Sequence, residues 1–157
     1  MGLSEIKNEF KLMEKSEIIK VISEMYKNIP QVKDYLDVFF MGNINDLIQK
    51  YKSEIEKCIR PDSRLNTKEA EARKLIRTVR KMKIPELTIA LELHYVKSCL
   101  EFIEDHGYWD EAYYSSIETM FYSAIKNINK NGLNNNYKSE ISILAEKSRK
   151  YGLDFEF

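Results

Sequence analysis

Glycine and proline are scarce in this chain, five and three among 157 residues. A sandwich or barrel needs turn residues at every strand end, so that scarcity argues against a turn-rich β fold. Cysteine is scarcer still. Cys58 and Cys99 sit in apolar runs, far from each other and from any close His pair, which gives neither a disulfide framework nor a metal spacing. They are expected to be buried free thiols in a reducing cytoplasm. No apolar run approaches the roughly 18 residues of a membrane-spanning helix. The opening "MGLSEIKNEF" is charged from Glu5 onward, so no signal peptide is expected, and Ile6 stands where a myristoylation pattern would carry Ser or Thr. A Gly-rich phosphate loop, a Gly-x-Ser-x-Gly elbow and sustained heptads are all missing. Net charge is missing too: 25 Lys and Arg balance 25 Asp and Glu, leaving no global pull toward nucleic acid or membrane.

What is present is helical. Hydrophobic residues make up 43% and charged residues 32%, the balance of a folded chain, and the length suits one domain over 1–157. Apolar residues recur at three and four. Leu3, Ile6, Phe10 and Met13 form a first stripe with Ser4 placed to cap it; Ser16 is placed to cap a second carrying Ile18, Ile22 and Met25. Pro30 opens a third helix with Val32, Tyr35, Leu36, Phe39 and Phe40 on its face, and Gly42 stops it. A fourth covers about 45–59. Asn66 and Glu69 resemble a capping box for a fifth over 67–82. Pro85 opens the longest, to about Asp105; Asp110 caps one over 111–130, closed by Asn131-Gly132-Leu133 as a Schellman motif; a last runs over about 135–151, with "LDFEF" docked or frayed beyond it. Short connections predict antiparallel helical pairs, an all-α compact bundle or short α-α superhelix.

The helix from Pro85 is the expected centre. Ile89, Leu93, Val96, Leu100 and Ile103 make one stripe, and Leu91, Tyr95, Cys99 and Phe102 a second beside it. Together they cover about half the circumference, wider than a surface helix requires, so this helix is touched from two sides.

The neutral total hides a dipolar pattern. Residues 57–83 carry ten cations against three acids, and residues 84–118 carry eight acids against Lys97 alone. Arg73, Lys74, Arg77, Arg80 and Lys81 fall within a ~120° arc of the fifth helix, opposite Ala72, Leu75, Ile76, Val79 and Met82. That basic face looks outward, toward solvent or a partner, or its residues pair with the acidic helices next to them. Phosphate contact with nucleic acid is one reading, yet no aromatic is interleaved for base stacking. At the corner "EFIEDHGYWDEAYY", His106, Tyr108, Trp109 and Asp110 are candidate interface residues, since aromatics with a polar tip anchor protein contacts. His94 and His106 with nearby acids are the only candidates for metal or hydrolytic chemistry. Two histidines do not make a zinc site without several carboxylates, and His94 stands two turns from Glu101, so no metal, cofactor or catalytic residue is expected.

The stretch "IPELTIALELHYVKSCLEFIEDHGYWDEAYYSSIETMFYSAIKNINKNGL", with "YKNIPQVKDYL" and "LIQKYKSEIEKCI" before it, resembles a bacterial family of short helical proteins of unknown function. The likeness spans about residues 16–145 through scattered positions such as Pro85, Leu91, Tyr95, Glu101, Gly107, Asp110, Tyr114, Met120 and Phe121. It implies a stacked helical fold and brings no activity, cofactor or catalytic residue. The expected function is a non-enzymatic cytoplasmic binding or scaffold domain acting through its helical surface on a protein, itself or another. The alternatives are nucleic-acid association through the basic face, then a metal-dependent or hydrolytic enzyme using His94 and His106.

Overall fold

In the computed structural model, which describes residues 1–60, 67–107 and 110–156, the apolar period becomes eight helices and, among the described residues, no strand. They are α1 (Leu3–Leu12), α2 (Lys15–Asn28), α3 (Pro30–Met41), α4 (Ile44–Ile59), α5 (Glu69–Arg80), α6 (Pro85–His106), α7 (Glu111–Lys130) and α8 (Asn134–Arg149). The all-α expectation holds. Pro30 and Pro85 stand at first helical positions, where a missing N–H costs nothing. Gly42 ends α3 at φ 67° and returns its N–H to the Val38 carbonyl at 3.0 Å. The close of α7 is the expected Schellman motif, with the Leu133 N–H on the Ile128 carbonyl at 3.0 Å.

Two caps differ from expectation. Gly2 and Glu14 hold the cap positions of α1 and α2, not Ser4 and Ser16. In each, a glutamate three residues on reaches back instead: Glu5 accepts the Gly2 N–H at 2.6 Å and Glu17 accepts the Glu14 N–H at 2.9 Å. The carboxylate satisfies an orphan donor and also suits the positive helix end, so the hydroxyl is not needed. Lys68 precedes α5; Asn66 lies outside the described residues.

Contacts group the chain into two compact units, Met1–Asn43 and Ile44–Phe157, each described by itself. In the first, α2 packs on α3, and the Tyr26 hydroxyl donates to Asp37 at 2.8 Å. No apolar side chain of this unit is fully buried. Val32 and Leu36 are half covered, while Phe40 and Met41 are 76% and 77% exposed. The stripes of α1–α3 formed helices as expected without enclosing a core.

The second unit does enclose one. α6 packs against α4, α5, α7 and α8, which is more than the two-sided contact its apolar arc predicts. Ile89, Leu93, Val96, Leu100, Tyr95 and Cys99 are all sealed from solvent, and Phe102 and Ile103 nearly so. The tail docks: Phe155 is buried and stacks on Phe121 of α7, ring centres 4.1 Å apart.

Candidate functional site

The basic arc of α5 divides by angle. Ala72, Ile76 and Val79 are sealed beneath the helix, Leu75 is half covered, and Arg77, Lys74 and Lys81 are exposed on the other side. Arg73 and Arg80, two turns apart at the edge nearest the core, bend inward. The Arg73 Nη1 donates to the Tyr95 hydroxyl of α6 at 3.0 Å, and that hydroxyl shares a second hydrogen bond, also 3.0 Å, with Ser116 of α7. Arg77, Lys74 and Lys81 thus look outward, Arg80 pairs with the acidic helix beside it, and the outward reading is corrected for half-buried Arg73. Long guanidinium stems at the edge of an arc can cover apolar surface and deliver their heads to partners beyond it.

Arg80 reaches the most consequential side chain. Glu92, in the middle of α6, is 0% exposed. Its Oε1 accepts from Arg80 Nε at 2.9 Å, Arg80 Nη2 at 2.6 Å and Ser123 Oγ at 2.8 Å; its Oε2 accepts from Asn127 Nδ2 at 2.9 Å. Arg80 Nη2 also donates to Ser123 Oγ at 3.0 Å. A buried carboxylate is tolerable only when its lone pairs are met this fully. The cluster ties α5, α6 and α7 together at one point. A signal for it existed in the sequence: at 100° per residue Glu92 falls within the stripe of Ile89, Val96 and Ile103, an acid among core positions.

Between α5 and α7, over α6, runs a furrow with Arg80 as the partition between two cavities. One, about 410 Å³, is lined by Arg73, Arg77 and Arg80 opposite Ser115, Ser116 and Thr119. The other, about 700 Å³, is lined by Arg80, Lys83, Lys126, Lys130, Ser123, Asn127 and Asn131 with Ile84, Pro85 and Thr88. No carboxylate lines either cavity among the described residues. Lys83, Lys126 and Lys130 were not singled out from the sequence. The signal was there in Lys126 and Lys130, one turn apart on the face of α7 that also carries Ser123 and Asn127.

The remaining candidates are dispersed. His94 faces α4, not Glu101: its Nε2 is 3.2 Å from Glu56 Oε2 and 3.4 Å from Ser98 Oγ. Burial lowers the His94 pKa although Glu56 pulls it upward. Ser98 is sealed and donates to Glu56 at 2.8 Å. His106 lies exposed at the far end of α6, its ring 4.6 Å from that of Phe102, about 18 Å from His94 along the axis by helix rise. Asp110 caps α7 as expected, accepting the Tyr113 N–H at 2.7 Å. Tyr108 and Trp109 lie outside the described residues. No group of three His, Cys, Asp or Glu side chains stands ready for a metal among the described residues. Cys99 is buried, its thiol pushed up to about 12 by burial; Cys58 is half covered and raised for the same reason. No described helix is long and apolar enough to cross a membrane.

Fold and furrow together define an all-helical protein with a cationic cleft across its central helix. The chain belongs to a family of unknown function (DUF6155), whose family model matches residues 1–154. No curated protein and no solved structure matches it significantly.

Proposed function

We propose that the protein is a non-enzymatic cytoplasmic binding domain that acts through its helical surface, and that an anionic partner lies in the furrow between α5 and α7. The observation that carries this reading is the furrow itself, where six cationic residues from two helices and a connecting turn line adjoining cavities without a carboxylate among them. Such a surface raises the local concentration of anions even on a neutral protein. The reactive groups point away from catalysis. The Cys99 thiol is buried and pushed up to about 12, Ser98 is sealed, and the His94 imidazole faces Glu56. Two free cysteines suit a reducing compartment. Nucleic acid is the second reading, favoured by exposed Arg77, Lys74 and Lys81. Against it, no aromatic lines the furrow for base stacking among the described residues.

Arg77 tests both, because it lines the furrow without a hydrogen bond to the core among the described residues. Arg77→Glu together with Lys81→Glu is expected to lower the salt at which the protein leaves an anionic matrix, with its circular dichroism unchanged. Unaltered elution would sink the furrow reading. Retention of RNA or DNA at low salt, abolished by the same pair, would favour the second.

A further inference from the structure

The two cavities differ in what their cations are free to do. In the narrower one, Arg73 is held by Tyr95. In the wider one, Arg80 is held through its Nε and Nη2 by Glu92 and Ser123. Lys83, Lys126 and Lys130, by contrast, have no ion pair among the described residues. The wider cavity is therefore fronted by three ammonium groups beside the Glu92-bound Arg80.

The N-terminus of α6 borders the same space, with the Glu86 carboxylate in its first turn but outside the cavity wall. α6 begins at Pro85, with Ile84 and Pro85 in the cavity wall, and its first turn has no side-chain cap. The N–H groups of Glu86 and Leu87 thus lack helical acceptors, and a helix of 22 residues directs the positive end of its dipole there. α7 ends at the rim, but Asn131 turns both its backbone N–H and its side-chain Nδ2 onto the Asn127 carbonyl, at 3.1 and 2.8 Å.

From this geometry we infer that the wider cavity is a binding site for a small phosphate-bearing ligand, held by Lys83, Lys126 and Lys130 at the N-terminus of α6. The inference rests on the furrow reading and names its ligand. Separate ammonium groups, each a point charge with three donors, can converge on the several oxygens of a multiply charged phosphate. The volume of about 700 Å³ falls in the range of small-molecule sites, ~300–1,000 Å³. Ile84 and Pro85 supply one apolar wall, and among the described residues no aromatic lines the cavity to read a base. The phosphate chain, not an attached organic group, is what the site recognises.

The test is titration calorimetry on the full chain at low salt, with inorganic triphosphate and, separately, a nucleoside triphosphate. Both are expected to bind saturably at one site, within about threefold of each other because the shared phosphates dominate. Lys126→Gln with Lys130→Gln is expected to weaken both at least about tenfold. These lysines are exposed, so the thermal midpoint should hold and report an intact fold. Arg77→Glu, in the other cavity, acts only through the long-range field and should weaken binding clearly less than the lysine pair does. Three outcomes overturn the inference. If triphosphate does not bind saturably while Arg77→Glu with Lys81→Glu still lowers anionic-matrix retention, the phosphate site fails and the furrow reading survives. If Arg77→Glu weakens triphosphate as much as the lysine pair does, the ligand lies along the furrow and not in this cavity. If neither measurement responds, both readings fall together.

Discussion

Glu92 decides how the three helices around the furrow meet. A carboxylate at 0% exposure is stable only through its four accepted hydrogen bonds, two of them from Arg80. Glu92→Ala removes the acceptor and leaves Arg80, Ser123 and Asn127 facing an empty core position. The expected loss is about 3 kcal/mol in urea unfolding, at the low end for a broken buried pair because the Arg80 side chain keeps 37% exposure. Ser123→Ala, which removes one neutral donor, should cost about 1 kcal/mol. Cys99 makes a different prediction. Its thiol is raised from 9.0 to about 12, chiefly by burial, and the hydroxyls of Tyr95 and Tyr113 beside it are raised by burial as well. A group whose folded pKa is raised binds its proton more tightly in the native state. Its contribution is complete below the unfolded value and is lost as pH rises through the folded one. Unfolding free energy should therefore fall from about pH 9 upward, by about 1.4 kcal/mol per pH unit for each group ionising only in the unfolded chain. Cys99→Ala should flatten the first part of that slope. In the native protein a disulfide-exchange reagent should modify Cys58 well before Cys99.

Among elements, α6 carries the most and α1–α3 the least. Leu93 and Leu100 are sealed on all sides, so either truncated to Ala should cost ~2–5 kcal/mol. Phe40→Ala, at an exposed position of α3, should stay within about 0.5 kcal/mol. Asp110→Ala, which removes the α7 cap, falls between, at about 1 kcal/mol. Hydrogen exchange should rank the helices the same way. The positions of these elements were legible because their punctuation is local: Pro30 and Pro85 fix helix starts, Gly42 and Gly132 fix ends, and each works through φ or a missing N–H whatever the tertiary contacts. The centrality of α6 was legible from the width of its apolar arc. The furrow was not, for two physical reasons. A helical-wheel angle locates a Cα, whereas Arg73 and Arg80 act through heads several bonds away. Glu92 was counted among the acids of its run, although its angle placed it in the stripe with Val96. The missing burial in α1–α3 was likewise illegible, since periodicity states which face is apolar and not what covers it.

On the scale of the molecule, the basic and acidic runs that cancel in the total also meet in space. Arg60 of the α4 end pairs with Glu101 and Asp105 of α6 at 2.8 and 2.6 Å, Arg80 pairs with Glu92 at 2.6 Å, and Lys147 of α8 pairs with Glu104 at 2.7 Å. α6 thus supplies counter-ions to three neighbours within one chain. The exposed pairs are worth about 1 kcal/mol or less each and weaken with salt, so they orient the helices and do not hold them. Cohesion comes from the apolar core, and every fully buried apolar residue of the described chain lies between Leu47 and Phe155. A chain beginning at Ile44 retains that core, the Glu92 cluster and both cavities, and its size is that of an ordinary domain. It should give a helical circular-dichroism spectrum, one cooperative urea transition and undiminished exchange protection in α6. Residues 1–43 alone, with half-covered stripes and a length near the ~40-residue floor for unaided folding, should show only weak helicity. A chain from Ile44 that melts without cooperativity would mean that the core around α6 cannot sustain itself, and the furrow could not then be treated as the property of five helices.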